Sequence, residues 1–290
     1  MKSNYAYCID MGGTFLKGAI VDNHGNLITN IYQVIANSSS NLDDYLNSFS
    51  EMFNNLDLEA SKKNIDIDFI ALSVPGPFDY EKGISKMVHK YQAIYDLDLK
   101  ELFLKKLNIN KKIHFENDVI SFLLGESINL KNIQNKSICA ITLGTGLGYV
   151  VMKNNTILRN ELGSPKEYIY DKPFKDGKME DYFSARGLIH FYNLHAHKEI
   201  SSAKEVSELA KNKNLEAIEA LNDFGKELGK GLLPYLSKNN VSDLYLGGQV
   251  SKAFPYFSES LKKELKNINV YLSKNENSAL IGLAIRFFHK

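Results

Sequence analysis

The stretch Ile9–Asp22, IDMGGTFLKGAIVD, contains two apolar runs separated by a glycine pair, a pattern that predicts two β-strands joined by a tight turn. Asp10 lies where the first strand ends, and Gly12 and Gly13 let the backbone approach a ligand without an intervening Cβ atom. Thr14 adds a hydroxyl group. Because ligands of α/β sheets bind at such strand ends, the stretch predicts a phosphate-binding turn, although an ordinary hairpin would have the same pattern.

The arrangement of a strand followed by glycines occurs twice more. Gly144-Thr145-Gly146-Leu147-Gly148 follows a predicted strand over 137–143, and Gly247-Gly248 follows a predicted strand over 243–246. Three such turns in one chain favour a duplicated nucleotide-binding architecture over three unrelated hairpins. The sequence contains no GxxxxGK[ST] pattern, so a P-loop NTPase is disfavoured.

Composition limits the class of protein. The 290 residues suffice for two lobes, and 35 Lys and Arg against 34 Asp and Glu give a net charge of +1, which points neither to nucleic acid nor to a membrane surface. No apolar run approaches the roughly 18 residues of a membrane span, and the start of the chain has no signal-peptide pattern. We therefore expect a cytoplasmic protein with small-molecule partners. Cys8 and Cys139 lie in predicted buried strands and are predicted to be core thiols.

A further carboxylate lies at the end of another strand. Glu116-Asn117-Asp118 connects a predicted strand over 112–115 to a predicted helix. An Asp at such a junction is often a helix N-cap. Phosphoryl transfer to a hydroxyl group, however, requires a carboxylate within hydrogen-bonding distance of the attacking oxygen. We predict that Asp118 is this general base.

Five segments in a fixed order resemble the ROK family of bacterial sugar kinases and repressors, within the superfamily of sugar kinases, Hsp70 and actin. They are IDMGGT at 9–14, SVPGPFD at 73–79, FENDV at 115–119, TLGTGLG at 142–148 and LGGQV at 246–250. The family counterparts are a DIGGT-like opening, a VPGP-like loop, an END segment, an LGTGxG turn and a GGG-like turn. The resemblance covers nearly the whole chain. It implies an α/β fold of two RNase H-like lobes, the actin/hexokinase-like ATPase fold, with an interlobe cleft.

The resemblance also implies roles for individual residues. ATP and Mg²⁺ would be bound by Asp10, Gly12, Gly13, Thr14, Lys17, Gly144, Thr145, Gly146 and Gly248, with Asp10 ordering the magnesium ion. The sugar would be bound by Gly76, Asn117, Asp118, Glu161 and Glu180, with Asp118 taking the hydroxyl proton. Two structural alternatives stay open: the loop around Gly76 as a rigid turn, and Glu180 as an acid favoured in the first turn of a helix.

The chain departs from the family pattern around the zinc site. In the segment 161–164, ELGS, which resembles GExGH, Ser164 replaces the zinc-binding His, and no cysteine follows Cys139. A four-ligand thiolate site cannot be built from these residues. We therefore expect well under one zinc ion per purified chain and no loss of activity with chelators. The loop would be held instead by packing of residues such as Tyr168, Ile169, Tyr170 and Phe174.

Two other segments bear on the site. The family's NxPGW-like segment is replaced by HKYQAI at 89–94, which puts the contacts to the 2- to 4-positions of the sugar in doubt. The histidines of the following region are predicted to lie on a solvated helical face rather than to bind metal; they are His190, His195 and His197.

The sequence thus predicts an ATP-dependent kinase for the 6-hydroxyl of a hexose or N-acylhexosamine. N-acetylmannosamine is favoured because both sugar-binding Glu positions are kept and Ser164 leaves room near the 2-position. A glucokinase or β-glucoside kinase is the alternative within the family, and a non-catalytic sugar-sensing protein is the alternative from another class. ROK repressors carry a DNA-binding module before the kinase-like fold. This chain opens at the first strand, so we expect no such module.

The expected organisation is a homodimer of two-lobed chains. The N-terminal lobe is predicted to contain residues 1–118 together with a closing helix at 278–290. The C-terminal lobe is predicted to contain residues 119–277.

Overall fold

The computed structural model describes residues 4–88, 90–196 and 200–289, so the predictions for His89 and His197 lie outside the described residues. The chain forms two compact units. Unit 1 comprises the chain up to Leu130, the short segment Arg159–Pro165 and the chain from Asn275 onward. Unit 2 comprises Lys131–Leu158 and Lys166–Lys274.

The first part of unit 1 contains seven strands and three α-helices among the described residues. They are β1 (Tyr5–Met11), β2 (Phe15–Asp22), β3 (Tyr32–Ile35), α1 (Leu42–Lys63), β4 (Phe69–Val74), β5 (Phe78–Asp79), β6 (Ile84–Ser85), α2 (Leu99–Leu107), β7 (Lys112–Asn117) and α3 (Asp118–Ser127). The main sheet has the order β3-β2-β1-β4-β7, in which β1 is antiparallel to β2 and parallel to β4, and β4 is parallel to β7.

The elements of unit 2 follow the same plan. They are β8 (Ser137–Leu143), β9 (Leu147–Lys153), β10 (Thr156–Ile157), β11 (Pro173–Phe174), β12 (Gly177–Lys178), α4 (Met179–Tyr182), α5 (Ala185–His195), α6 (Ala203–Lys211), α7 (Leu215–Lys238), β13 (Asp243–Gly247), α8 (Phe254–Glu264) and β14 (Asn269–Leu272). The sheet order β10-β9-β8-β13-β14 again combines an antiparallel meander with two parallel strands. The duplication predicted from the glycine turns is therefore confirmed at the level of topology.

The final helix, α9 (Ser278–Phe288), belongs to unit 1. It covers one face of the first sheet, where Leu283 and Ala284 pack with Cys8, while α1 covers the other face, where Phe49 packs in the core with Ile9. This division follows from the alternation of side chains along β1, which sends successive residues to opposite faces. Cys8 is fully buried in unit 1, as Cys139 is in unit 2, and both are free thiols, as predicted.

The helix after Asp118 packs closely against α9. A Cβ atom added to Gly125 would lie 1.9 Å from the Ser278 carbonyl oxygen, and one added to Gly282 would lie 1.9 Å from the Ser121 carbonyl oxygen. Glycine is needed at both positions for the helices to approach this closely. The predicted boundary at residue 118 separated α3 from the first lobe. In the structure, helix α3 packs against α9 and belongs to unit 1.

The first hairpin has the predicted form. Asp10 pairs with Lys17 and Met11 with Leu16. Because β1 ends at Met11 and β2 begins at Phe15, Gly12–Thr14 lie outside both strands and form the turn. Within the part of the chain that the structure describes, no helix is both long enough and apolar enough to cross a bilayer.

Candidate active site

Three parallel strands of unit 1 end side by side. Asp10 of β1 pairs with Ser73 of β4, and Ser73 pairs with Glu116 of β7, so these residues form one row across the sheet. Asp118 follows two residues after Glu116. Neighbouring strands lie about 4.8 Å apart, so the ends of β1 and β7 are about 10 Å apart. The strand ends thus bring Asp10 and Asp118, both predicted from the sequence, to the same edge of the sheet.

The Asp10 carboxyl group has a pKa above the usual range of an aspartate. Burial raises its pKa to about 6, and the negative charge of Asp118 adds to the rise. A hydrogen bond of 2.7 Å from the Ser73 hydroxyl and the positive charge of Lys17 act in the opposite direction. The mutual influence of Asp10 and Asp118 agrees with their place at one edge. Lys17, predicted to bind ATP, lies directly opposite Asp10 in the hairpin.

The carbonyls of the turn Gly12–Thr14 all accept hydrogen bonds within the protein, whereas two of its amides have no acceptor among the residues that the structure describes. The Gly12 carbonyl accepts a hydrogen bond from the Tyr91 hydroxyl. The Gly13 carbonyl accepts one of 2.6 Å from Ser38, and the Thr14 carbonyl accepts one of 2.9 Å from the Ala36 amide. Among the described residues, no acceptor bonds the amides of Gly13 and Thr14. Two free amides at a glycine turn are suited to an anion such as phosphate.

Asn117, not Asp118, caps helix α3. The Asn117 side chain accepts a hydrogen bond from the Ile120 amide at 3.3 Å, and Asp118 is the first helical residue. The N-cap alternative for Asp118 is therefore wrong. Burial raises the Asp118 pKa, while the positive charge of Lys90 and the Val119 amide, 2.9 Å from Oδ1, lower it. In the described part of the structure no cation lies within ion-pair distance of Asp118.

Asn117 is more constrained than the sequence suggested. It is buried, with its carbonyl oxygen on the helix cap and its Nδ2 donating to the Tyr80 hydroxyl at 2.9 Å. The Tyr80 hydroxyl in turn donates to the Val74 carbonyl at 2.9 Å, at the start of the loop that contains Gly76. A hydrogen bond from the Asn117 side chain also lowers the Asp118 pKa, so little of the Asn117 amide remains for the predicted contact with a sugar.

The segment that replaces the family's NxPGW-like pattern folds against the first turn. Tyr91 is buried and donates its hydroxyl hydrogen to Gly12. Lys90 precedes it, and its positive charge lowers the Asp118 pKa. An open cavity of about 490 Å³ lies beside this segment and is lined by Ser38, Ser39, Ser40, Asn41, Leu42, Lys90, Gln92 and Ala93. Lys90 and Tyr91 could not be recognised as site residues from the sequence, because their effects on Asp118 and Gly12 depend on tertiary contacts.

Glu161 lies in a tight turn of unit 1. The Asn160 side chain accepts hydrogen bonds from the amides of Leu162 at 3.0 Å and Ser164 at 3.1 Å. Glu161 is exposed, and no described residue bonds its carboxylate. Ser164 is 1% exposed, and its hydroxyl group has no hydrogen-bond partner among the described residues. The carboxylate of Glu161 is thus available to a polar ligand.

Unit 2 repeats the glycine turn at Gly144–Gly146. The Gly144 amide donates to the Gly146 carbonyl at 3.0 Å, and the Gly144 carbonyl accepts from the Ala185 amide at 2.7 Å. The amides of Thr145 and Gly146 have no acceptor among the described residues. The second turn therefore matches the first in leaving two amides for an anion.

Glu180 contacts this second turn. Its Oε2 accepts a hydrogen bond of 3.1 Å from the Leu147 amide, and its Oε1 lies 3.3 Å from Arg186. Glu180 lies in the first turn of the short helix α4, which agrees with the structural alternative given above. Its hydrogen bond also stabilises the turn. A sugar contact by Glu180 would have to use the lone pairs that these two donors leave. The contact remains a prediction.

Gly248 has a structural reason to be glycine. Its φ is +87°, and a Cβ atom there would lie 2.3 Å from the Leu143 carbonyl oxygen at the end of β8. The turn after β13 therefore packs directly on the strand that precedes Gly144. The contact of Gly248 with ATP remains a prediction.

The segment of unit 2 that stands in place of the family's zinc-binding loop forms a small hairpin, β11–β12, which packs on aromatic residues. Phe174 contacts the Phe183 ring with centroids 4.8 Å apart, and Ile169 is fully buried. Lys175 lies over the Tyr182 ring at 5.5 Å and pairs with Glu227 at 2.9 Å. The described residues contain no cluster of three or more His, Cys, Asp or Glu side chains suited to a metal.

Two sheets of the same mixed topology, each with a glycine turn after its first strand, define the actin/hexokinase-like fold. The sequence profile of the ROK family matches residues 6–283, and the chain belongs to this family.

Relatives of the chain include kinases and repressors. The chain is 22% identical to the N-acetyl-D-glucosamine kinase of Haemophilus influenzae, over 89% of this chain and 88% of the relative. It is also 22% identical to the xylose repressor of Bacillus subtilis, over 92% of this chain and 70% of the relative. A ROK family glucokinase from Streptomyces griseus, solved in complex with glucose and AMPPNP, superposes with a TM-score of 0.78 at 18% identity, covering 97% of this chain and 98% of that chain.

The raised pKa of Asp10 predicts an unusual effect of Asp10→Asn on stability. Between about pH 4 and pH 6 the Asp10 carboxyl keeps its proton in the folded protein but has released it in the unfolded chain. The free energy of unfolding therefore falls as the pH rises through this window. At pH 8 the free energy of unfolding of Asp10→Asn should exceed that of wild type by about 1 to 2 kcal/mol. Below about pH 4 the gain should vanish. Urea denaturation at several pH values measures it.

Asp22→Asn provides a control of opposite sign. Burial alone would raise the pKa of Asp22, but hydrogen bonds from Asn26 and His24 outweigh it and hold the pKa below its usual value. Asp22→Asn should therefore leave the free energy of unfolding at pH 8 unchanged or lower. A gain for Asp10→Asn that does not depend on pH would contradict the assignment.

Proposed function

We propose that the chain is an ATP-dependent sugar kinase that phosphorylates the 6-hydroxyl of a hexose or N-acylhexosamine. The observation that carries this proposal is the state of Asp118. Its carboxylate is not the cap of α3, has no cation at ion-pair distance among the described residues and has a raised pKa. A partly desolvated carboxylate at a strand end is suited to accept a proton from a bound hydroxyl group.

In the proposed reaction the sugar oxygen attacks the γ-phosphorus of ATP. Its proton passes to Asp118, and the bond to the bridging oxygen breaks so that ADP leaves with the electron pair. Each glycine turn leaves two amides that are suited to phosphate oxygens: those of Gly13 and Thr14, and those of Thr145 and Gly146. Glu161 and the loop with Gly76 would orient the sugar, so positioning and charge stabilisation supply most of the rate.

Magnesium fits this arrangement as a companion of the nucleotide. Mg²⁺ is usually bound through one or two carboxylates plus substrate phosphates rather than by a cage of protein ligands. Asp10 offers one such carboxylate beside the first turn, and no larger acidic cluster is found among the described residues. When bound, the metal would neutralise phosphate charge.

For the sugar we propose N-acetylmannosamine, with glucose and β-glucosides as competitors. The positions of Glu161 and Glu180 keep the family's acidic residues, and Ser164 is much smaller than the histidine it replaces. The smaller side chain would leave room beside the 2-position for an acetamido group. A specificity constant for glucose that is at least tenfold above that for N-acetylmannosamine would overturn this choice.

A sugar-sensing protein without catalysis is the second candidate, because the xylose repressor matches 92% of this chain. Such a protein would bind sugar with similar affinity whether or not ATP is present, and it would not release ADP.

A coupled assay of ADP release over a panel of sugars, with purified protein, ATP and magnesium, separates the two candidates. A kinase gives sugar-dependent ADP release and a sugar 6-phosphate detectable by mass spectrometry. Sugar binding by calorimetry with no ADP release for any sugar would instead favour the sensor.

A further inference from the structure

Glu116 is a buried carboxylate beside the proposed base that the proposed reaction does not use. It is 2% exposed and has two arginine partners. Arg159 contributes a two-pronged contact, with Nη1 2.8 Å from Oε1 and Nη2 2.6 Å from Oε2. Arg286 of α9 places Nε 3.2 Å from Oε2, and the Asn117 amide donates to Oε1 at 2.9 Å. All four contacts lie within unit 1.

Arg159 makes one contact that Arg286 lacks. Its Nη1 also donates to the Gly163 carbonyl at 2.7 Å, within the turn that carries Glu161. This turn is closed by the bridge between Arg159 and Pro165 and by the Asn160 hydrogen bonds. Because the turn is internally rigid, its place relative to β7 depends on a small number of outside contacts. Among the described residues, the hydrogen bonds that join the turn to other parts of unit 1 are those of the Arg159 guanidinium to Glu116 and one of 3.3 Å from the Tyr80 amide to the Leu162 carbonyl.

We propose that Arg159 is a positioning residue for sugar binding: through Glu116 it holds the turn with Glu161 at a fixed place relative to Asp118. This inference rests on the proposed function. The two-pronged contact fixes direction as well as distance, because the guanidinium plane must align with the carboxylate. Stability alone does not require such a pair, since buried ion pairs can often be replaced by apolar residues without loss of stability.

Arg286 supplies a matched control. Arg159→Gln and Arg286→Gln each remove one positive charge from Glu116, but only Arg159→Gln releases the Gly163 carbonyl. If the arginines serve only to neutralise Glu116, the two variants should behave alike. If Arg159 positions the turn, only its loss should alter the turn and the sugar site.

The first measurement is amide hydrogen exchange of peptides covering 160–165 in the ligand-free protein. Arg159→Gln should exchange at least roughly tenfold faster in this turn than Arg286→Gln when both are compared at equal global stability. The second measurement is steady-state kinetics. Arg159→Gln should lower kcat/KM for the sugar roughly 10- to 100-fold, mainly through KM, with the KM for ATP within about twofold of wild type.

Arg159→Lys tests the geometry. Lysine keeps the charge but cannot form the two-pronged contact, so it should restore global stability while the sugar KM and the exchange of the turn remain raised. If Arg159→Gln does not fold, Arg159→Lys replaces it in the comparison with Arg286→Gln. Equal effects of the two glutamine variants, or full recovery of the sugar KM by lysine, would overturn the proposal.

The test remains separable from the proposed function. If wild-type protein releases no ADP with any sugar, the kinase proposal fails. Exchange of the 160–165 turn and calorimetric sugar affinity then still decide the role of Arg159. Unchanged exchange and affinity in Arg159→Gln would overturn it independently.

Discussion

Asp118→Asn is expected to lower kcat for sugar phosphorylation by roughly 10²- to 10⁴-fold, because the amide cannot accept the hydroxyl proton. The fold should persist. Asn117 caps helix α3, and the side-chain carbonyl of the introduced asparagine can replace Oδ1 of Asp118 as acceptor for the Val119 amide. A coupled assay at saturating ATP and sugar measures kcat, with circular dichroism for the fold and calorimetry for sugar binding.

Asp98→Asn is the matched control for this variant. Asp98 caps helix α2 by accepting from the amides of Lys100 and Glu101, and asparagine is an equally good cap. The same chemical change there should leave kcat unaltered. Turnover of the Asp118 variant within about threefold of wild type would show that Asp118 is not the base.

Gly13→Val is expected to raise the KM for ATP by roughly tenfold or more, while the KM for sugar stays within about threefold. A Cβ atom at Gly13 would lie in open space, with no described protein atom of another residue beyond its chain neighbours within 4 Å. The added methyl groups would instead occupy the space above the free amides, where a phosphate would lie. Initial rates over a matrix of ATP and sugar concentrations give both constants.

Gly144→Val is a parallel test in unit 2, because a Cβ atom there also meets nothing within 4 Å. Gly146 is less suitable: its Cβ would lie 2.7 Å from Glu180 Oε2, so a larger residue would also disturb the brace of the turn. If both Gly13→Val and Gly144→Val change the two KM values equally, or lose the fold, the glycines serve the structure rather than the nucleotide.

Local pattern was enough to predict the elements on which the site is built. The hairpin around Gly12 and Gly13, the strand before Asp118 and the turn at Gly144–Gly146 follow from apolar runs, glycine and alternation, which act over a few residues. The family was also predictable, because its five motifs keep their order along the chain. Burial of the two cysteines was predictable for the same reason: each lies in the middle of an apolar strand.

Contacts between distant residues required the tertiary structure. Whether Asn117 or Asp118 caps α3 depends on the direction of the chain as it leaves β7, and both residue types are good caps. Glu180 binds the Leu147 amide across 33 residues of chain. Glu116 binds Arg159 and Arg286 across 43 and 170 residues. No periodic pattern in the sequence indicates such pairs. From the sequence alone a charged side chain is predicted to be exposed to solvent, and only the assembled sheet and helices show that it is buried.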